Sequence, residues 1–91
     1  MDYAIEHDEE ARRFHVDVGG LESELVYRLS DRVMRIVHTG VPMPLEGQGI
    51  ASALVKAALA TARREGWKVV PACSYAAAFF QRHHEYDDLL A

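Results

Sequence analysis

The sequence predicts an α+β domain in which an antiparallel β-meander precedes a β-α-β unit and a C-terminal helix. Three observations support this fold class. Apolar and polar residues alternate in short runs up to about residue 40, as in half-buried strands. An alanine-rich helical pattern follows, and it leads into a short apolar strand. A strand, a helix and a strand in this order form a right-handed crossover that makes the two strands parallel.

The meander consists of three predicted strands and one minor edge strand. The strands span residues 14–18, 22–29 and 34–39, with a turn at Gly19-Gly20 and another around Asp31. Strands this close in sequence pair in antiparallel fashion. The acidic start, residues 3–10, holds the edge strand. Pro42 and Pro44 remove two ladder donors after the third strand, so a bulge, edge or loop is expected there.

The second half of the chain contains two predicted helices and one strand. The long helix covers residues 47–65, and Gly66 suits its C-terminal end. Its apolar residues recur near a 3.6-residue spacing, at Ile50, Leu54, Ala57, Ala58 and Ala62. A strand over residues 67–71 and a helix over residues 75–83 follow. Residues 84–91 are predicted to form a polar turn with a small apolar end.

Composition limits the class of protein. The 91 residues predict one domain, residues 1–91, and 49% hydrophobic with 26% charged residues is the balance of a globular protein. The net charge of −4 disfavours nucleic-acid binding, which needs a basic surface. No apolar run is long enough for a membrane span, and the acidic start from Met1 to Asp8 does not resemble a secretory signal. We therefore expect a cytoplasmic protein, either a monomer or a homodimer, without a nucleic-acid or membrane partner.

The segment that carries most information about function is the run from Leu45 to Ala51. Gly47 and Gly49 lie after a strand and at the start of the long helix, where backbone N–H groups can surround an anion. A dinucleotide fingerprint would need a third glycine at Ser52, and a Walker A loop would need Gly-Lys-Ser/Thr. Both of those interpretations fail. A phosphate-binding loop and a tight turn without a ligand remain.

These residues resemble the acetyl-CoA motif of the GNAT-type N-acetyltransferases, Arg/Gln-x-x-Gly-x-Gly/Ala. Gly49 and Ala51 fill its last two fixed positions, whereas Glu46 stands where Arg or Gln is usual. A second family pattern, Asn-x-x-Ala-x-x-Phe-Tyr, corresponds to Cys73, Ala76, Phe79 and Phe80. The chain is most similar to a small single-domain GNAT-like family, through the following marks: His38-Thr39, Val41-Pro42, Gly47 to Ala51, Pro71 to Tyr75, and His83 to Tyr86.

The resemblance implies that acetyl-CoA binds in a gap between the third and fourth main strands, near Val41-Pro42. Its pyrophosphate would lie on the glycine loop. The residues that the resemblance assigns to the cofactor are Val41, Gly47, Gln48, Gly49, Ile50, Ala51, Tyr75 and Phe80. An amine of unknown identity (a small molecule, a peptide or a protein) would accept the acetyl group. No metal is expected, because His83 and His84 are adjacent and diverge on a helix.

The same resemblance implies two catalytic residues, Cys73 and His38. Phe80 (or Phe79) stands where the family has a tyrosine that protonates the CoA thiolate, so the usual acid is missing. Cys73, the only cysteine, would attack the thioester or donate that proton; its alternative is an inert packed thiol. His38 would act as a general base or activate Cys73. Its alternative is a half-buried histidine on the face of Met34 and Ile36.

The sequence leaves three functional classes open. The first is a minimal GNAT-like N-acetyltransferase. The second is a non-catalytic module that binds CoA or acetyl-CoA, which the missing tyrosine and Glu46 favour. The third is an interaction domain without a cofactor. Four basic residues are candidates for contact with the CoA 3′-phosphate: Lys56, Arg63, Arg64 and Arg82.

Overall fold

A five-stranded mixed sheet forms the framework of the protein. The structure is a computed structural model that describes residues 3–91. Met1 and Asp2, which belong to the predicted domain 1–91, lie outside the described residues. Four strands form an antiparallel meander in chain order: β1 (Glu6–Asp8), β2 (Arg13–Val18), β3 (Leu21–Ser30) and β4 (Val33–Gly40). The fifth, β5 (Lys68–Pro71), pairs in parallel with β4. The predicted α+β class and its strand order are confirmed.

Two helices complete the β-α-β unit and the C-terminal part. Helix α1 (Ile50–Glu65) connects β4 to β5, and α2 (Ser74–Arg82) follows β5. Short 3₁₀ turns at Met43–Leu45 and His84–Leu89 precede α1 and follow α2. Gly66 ends α1 in the left-handed conformation, with φ 74° and its N–H on the Ala62 carbonyl. Across residues 3–91, no helix has the length and apolar character needed to cross a bilayer.

The core lies between one face of the sheet and α1. Alternating strand residues such as Leu25, Tyr27, Met34 and Ile36 are almost fully buried. Helix α1 presents a buried stripe to this face: Ile50, Leu54, Val55, Ala58, Leu59 and Ala62. Small alanines in the stripe let the helix lie close to the sheet.

The β3–β4 pair contains a bulge that matters for the site. Val26 is opposite His38, but Tyr27 is opposite Ile36, so Val37 is the extra residue on β4. One extra residue reverses the alternation of side chains along the strand. Thr39, which is opposite buried Leu25, therefore takes the core-facing side after the bulge.

The C-terminal tail is more ordered than the predicted polar turn. It forms the 3₁₀ turn His84–Leu89, in which Leu89 is buried and the Tyr86 ring lies 5.7 Å from that of Phe79. Leu90 then bridges to Val69 at the edge of β5. Leu89 and Tyr86 explain the difference, because they pack against the core rather than remaining in solvent.

Candidate functional site

Strands β4 and β5, the last two strands of the sheet, separate after a short parallel ladder. Their ladder runs from the Val33–Lys68 pair to the Ile36–Pro71 pair, and β4 then continues to Gly40 beside β3 alone. The Ile36 carbonyl accepts the N–H groups of both Ala72 and Cys73, at 2.9 and 3.0 Å. The gap therefore opens after Ile36, earlier than the predicted position at Val41-Pro42. Two features explain the earlier opening: the bulge at Val37, and Pro71, which has no N–H for the ladder.

A cavity of about 500 Å³ lies between the end of β4, the glycine loop, the start of α1 and Tyr75. Six of the predicted cofactor residues line it: Val41, Gly47, Gly49, Ile50, Ala51 and Tyr75. Residues 37–40 of β4, which have no partner on β5, lead toward this cavity. Their free backbone edge can pair with an extended amide-containing ligand, as an added strand would.

The glycine loop is shaped for an anion. Gly47 and Gly49 both have left-handed backbones, with φ 82° and 81°, and nothing lies within 4 Å of the Cβ position at either residue. Gly49 is the N-cap of α1 without a side-chain capping bond, and the first bond of the helix runs from the Ala53 N–H to the Gly49 carbonyl. The N–H groups of residues 50–52 therefore lie at an uncapped helix N-terminus, which suits a pyrophosphate.

Gln48 and Tyr3 hold the loop from outside the cavity. The Tyr3 hydroxyl donates a hydrogen bond of 2.6 Å to the Gln48 carbonyl. Gln48 itself does not line the cavity, in contrast to its two glycine neighbours. The residues in contact are 45 positions apart, so no local pattern in the sequence signals that Tyr3 supports the loop.

Cys73 lies at the start of α2, next to Thr39. Its sulfur accepts the N–H of Ala76 at 3.4 Å and lies 3.6 Å from the Thr39 hydroxyl. Thr39 lines the cavity, whereas Cys73 is half-buried just outside its lining. Thr39 was not predicted as a site residue, because an unbulged strand would turn its side chain away from the core.

The prediction that His38 shares the face of Met34 and Ile36 is wrong. The bulge at Val37 turns His38 to the opposite face, where its side chain is 56% exposed and its Nε2 lies 3.6 Å from Glu24. The neighbouring residue, Thr39, is the one that contacts Cys73. Activation of Cys73 by His38 therefore has no support in this arrangement, and the general-base role stays a prediction.

Phe80 is buried in the core at 5% exposure and is not among the residues that line the cavity. Its assignment to the cofactor stays a prediction. Its neighbour Phe79 is buried as well, with its ring 4.1 Å from that of His83. Tyr75, by contrast, lines the cavity, and burial raises the pKa of its phenol above the usual value. The phenol nearest to the cavity therefore belongs to the first turn of α2.

The charged groups considered for cofactor contact differ in their position and their partners. Glu46 lines the cavity, close to the loop that would bind a pyrophosphate, whereas Arg63 and Arg64 lie in the last turn of α1, at the other end of the helix. Arg63 binds Asp88 through two hydrogen bonds of 2.6 and 3.2 Å, and Arg64 lies 3.7 Å from Glu65. Arg63, one of the candidates for the 3′-phosphate, is therefore already engaged by Asp88 at the tail.

The histidines at the end of α2 have neighbours within the protein. His83 lies 3.6 Å from Glu85, and His84 lies 3.1 Å from Asp87. Among residues 3–91, no three or more His, Cys, Asp or Glu side chains are grouped so that they could hold a metal ion.

Comparison with known proteins shows which family the chain belongs to. The sequence profile of the GCN5-related N-acetyl-transferase family matches residues 13–89. Protein NATD1 from mouse is 36% identical over 74 residues, which is 78% of this chain and 67% of that protein. Protein NATD1 from cattle is 33% identical over 82 residues, 87% of this chain and 73% of that protein.

A solved structure supports the same relationship. The NMR solution structure of a GCN5-like protein from Staphylococcus aureus superposes with a TM-score of 0.77 at 30% sequence identity. The superposition covers 98% of this chain and 88% of that one. The fold expected from the resemblance is thereby confirmed. With a profile match over residues 13–89 and this common architecture, the chain belongs to the GCN5-related N-acetyltransferase family.

Proposed function

We propose that the protein binds acetyl-CoA in the cavity between the end of β4 and the glycine loop and transfers the acetyl group to an amine. The observation that carries the proposal is that three features meet at this cavity, with Cys73 just behind its lining. These are an uncapped helix N-terminus behind two left-handed glycines, an unpaired edge of β4, and the pair Thr39–Cys73 at the end of that edge.

Each feature fits one part of acetyl-CoA. The N–H groups of residues 50–52 suit the pyrophosphate, and the backbone of β4 beyond Ile36 suits the amides of pantetheine. Family membership supports this assignment, since GCN5-related transferases typically use acetyl-CoA. Bound acetyl-CoA supplies an activated acetyl group as a thioester.

Transfer needs a base for the amine and a proton for the departing sulfur. In our proposal the amine nitrogen attacks the carbonyl carbon, a C–N bond forms and the C–S bond breaks. His38 accepts the proton lost by the nitrogen. Thr39 passes a proton from the Cys73 thiol to the departing sulfur, and solvent returns one to Cys73. Thr39 lines the cavity and Cys73 lies 3.6 Å behind it, which favours this proton relay over attack by Cys73 on the thioester.

A non-catalytic CoA-binding module is the second candidate. Phe80 stands at the position of the tyrosine acid in the family pattern and has no hydroxyl, and Glu46 opposes an anion at the loop. The binding half of the proposal is common to both candidates. The two candidates differ in turnover, which only the N-acetyltransferase would show.

Release of CoA from acetyl-CoA in the presence of a primary amine tests the proposal. The expected result is amine-dependent release by the wild type that is lost in Ala51→Trp, because the indole would fill the cavity beside the glycine loop. Ala60→Trp is the matched control, since Ala60 lies on the exposed side of the same helix. Acetyl-CoA binding without amine-dependent release would favour the binding module. Equal release by both tryptophan variants would contradict the assigned cavity.

A further inference from the structure

Strand β1 is anchored to the core by a histidine. His7 is the middle residue of this three-residue strand, which lies at the edge of the sheet beside β2. Its ring stacks on Phe14 with the centroids 4.0 Å apart, and its Nε2 lies 2.7 Å from the hydroxyl of the buried Tyr27. The attachment of β1 to the protein therefore depends on the protonation state of one side chain.

The surroundings of His7 favour the neutral ring. Burial lowers the pKa of His7, and burial raises the pKa of the Tyr27 phenol, so the hydroxyl remains a donor to a neutral Nε2. The charged groups that face His7 come from the β1–β2 segment and from the last turn of α1: Asp8 and Glu9, which favour the protonated ring, and Arg12 and Arg64, which favour the neutral one. Since burial outweighs the two carboxylates, protonation of His7 weakens the attachment of β1.

The segment before β1 carries the residue that supports the glycine loop. The Tyr3 hydroxyl donates the hydrogen bond of 2.6 Å to the Gln48 carbonyl, between the two glycines that line the cavity. The Tyr3 carbonyl accepts the N–H of Ile5 at 3.0 Å, and Ile5 packs against the core immediately before β1. This turn joins Tyr3 closely to β1, so release of β1 also withdraws Tyr3 from the loop.

We infer that residues 3–8 form an acid-sensitive strap on the glycine loop, which protonation of His7 releases. Acid shifts the population toward the released strap, because His7 binds a proton more readily there than when its ring is stacked and buried. The step is a proton-binding equilibrium in which no covalent bond changes. The change in the loop is a property of the protein alone, whereas its effect on acetyl-CoA rests on the proposed function.

The strap can change the affinity for acetyl-CoA only by as much as the hydrogen bond that it carries. Loss of one ordinary hydrogen bond corresponds to a rise in Kd of about two- to tenfold. The 3′-phosphate of acetyl-CoA also titrates in the mildly acidic range, so it adds a pH dependence that does not involve His7. A comparison of variants separates the two contributions.

An NMR titration of the isotope-labelled protein without ligand, from pH 8 to pH 5, tests the strap. In the wild type, the amide signals of Gly47 and Gly49 should shift with the same midpoint as the His7 ring, below its usual 6.5. In Tyr3→Phe the ring should still titrate, but the glycine signals should no longer follow it. In His7→Phe the glycine signals should stay constant, and His7→Gln repeats this measurement should His7→Phe fail to fold. His84→Gln, at an exposed histidine of the tail, is the matched control and should behave like the wild type.

Calorimetric titrations with acetyl-CoA at pH 8 and pH 5 measure the consequence for binding. Between these values, the Kd of the wild type should rise about two- to tenfold more than the Kd of His7→Phe or of Tyr3→Phe. Glycine signals that ignore His7 in the wild type, or that still follow it in Tyr3→Phe, would overturn the strap even where acetyl-CoA binds. Wild-type protein that binds no acetyl-CoA at pH 8 would overturn the proposed function, and the titration without ligand would still decide for or against the strap.

Discussion

The hydroxyl of Thr39 and the thiol of Cys73 lie 3.6 Å apart, where strand β4 leaves β5 and helix α2 begins. Two irregularities create this contact. The bulge at Val37 turns Thr39 toward the core side, and the bonds from Ala72 and Cys73 to the Ile36 carbonyl fix the entry to α2. Thr39 lines the cavity, so it connects the cavity with the thiol.

Removal of either member of this pair should lower turnover without loss of acetyl-CoA affinity. Cys73→Ser retains an atom that can cap α2 but is a much weaker acid than the thiol. We expect kcat to fall about 100-fold, the usual size of a lost general acid. Thr39→Val should show a similar fall and Thr39→Ser little change. The double variant Thr39→Val/Cys73→Ser should be no slower than either single variant, because the two residues act in series.

Intact-mass spectrometry with acetyl-CoA distinguishes the relay from covalent catalysis. We expect no acetylated protein. A gain of about 42 Da that disappears in Cys73→Ser would instead identify an acetyl-cysteine intermediate and contradict the relay.

Glu46→Gln should tighten acetyl-CoA binding. Glu46 lines the cavity beside the glycine loop, where its charge opposes a pyrophosphate. Loss of one exposed like charge should lower the Kd by roughly two- to fivefold at low salt and by less at high salt. Calorimetric titrations at two ionic strengths measure both effects. A weaker or salt-independent affinity in Glu46→Gln would mean that this carboxylate helps binding or does not face the ligand.

Tyr3→Phe should loosen the glycine loop. The variant retains the ring but removes the hydrogen bond of 2.6 Å to the Gln48 carbonyl. An ordinary hydrogen bond contributes about 0.5–1.5 kcal/mol, so the Kd for acetyl-CoA should rise about two- to tenfold. The melting temperature should change little, since the bond is exposed. An unchanged Kd would show that the loop keeps its shape without Tyr3.

His7 should make the fold sensitive to acid. Its ring stacks on Phe14 at 4.0 Å and its Nε2 pairs with the Tyr27 hydroxyl at 2.7 Å, and burial lowers the pKa of His7 from its usual 6.5. The unfolded chain therefore binds more protons in this range. This contribution to the free energy of unfolding is fully present above about pH 6.5 and is lost as the pH falls through the lowered pKa.

Urea denaturation between pH 8 and pH 5 measures this effect against His7→Phe, which keeps the stacking and removes the titration. The wild type should lose more stability than His7→Phe over this interval. Equal losses in the two proteins would show that His7 does not contribute to the acid sensitivity.

Strand and helix positions were largely predictable from the sequence, because they depend on local spacing. Helix α1 ends at Glu65 as its alanine-rich pattern and Gly66 indicate, although it begins at Ile50 rather than at residue 47. Gly47 and Gly49 form the turn before it, since their left-handed backbones cannot continue a helix. The motif indicated that Gly47 and Gly49 form the loop before α1, and both residues line the cavity.

Side-chain directions at the site were less predictable. The bulge at Val37 depends on pairing with β3 and has no clear signal in the sequence of β4. Because of this bulge, Thr39 and not His38 lies on the core-facing side of β4. The ladder between β4 and β5 also ends at Ile36, before the predicted position at Val41-Pro42. The support of Gln48 by Tyr3 is likewise a tertiary contact that spacing cannot indicate.

Calorimetric titration of acetyl-CoA into the wild type, Ala51→Trp and Ala60→Trp tests whether the cofactor binds beside the glycine loop. We predict binding with one molecule per chain to the wild type and to Ala60→Trp, and no binding to Ala51→Trp, whose indole would occupy the cavity beside the glycine loop. Ligand-dependent rises in melting temperature should follow the same order. Absence of both heat and thermal shift in the wild type at millimolar acetyl-CoA, or equal affinity in Ala51→Trp, would contradict acetyl-CoA binding at this site.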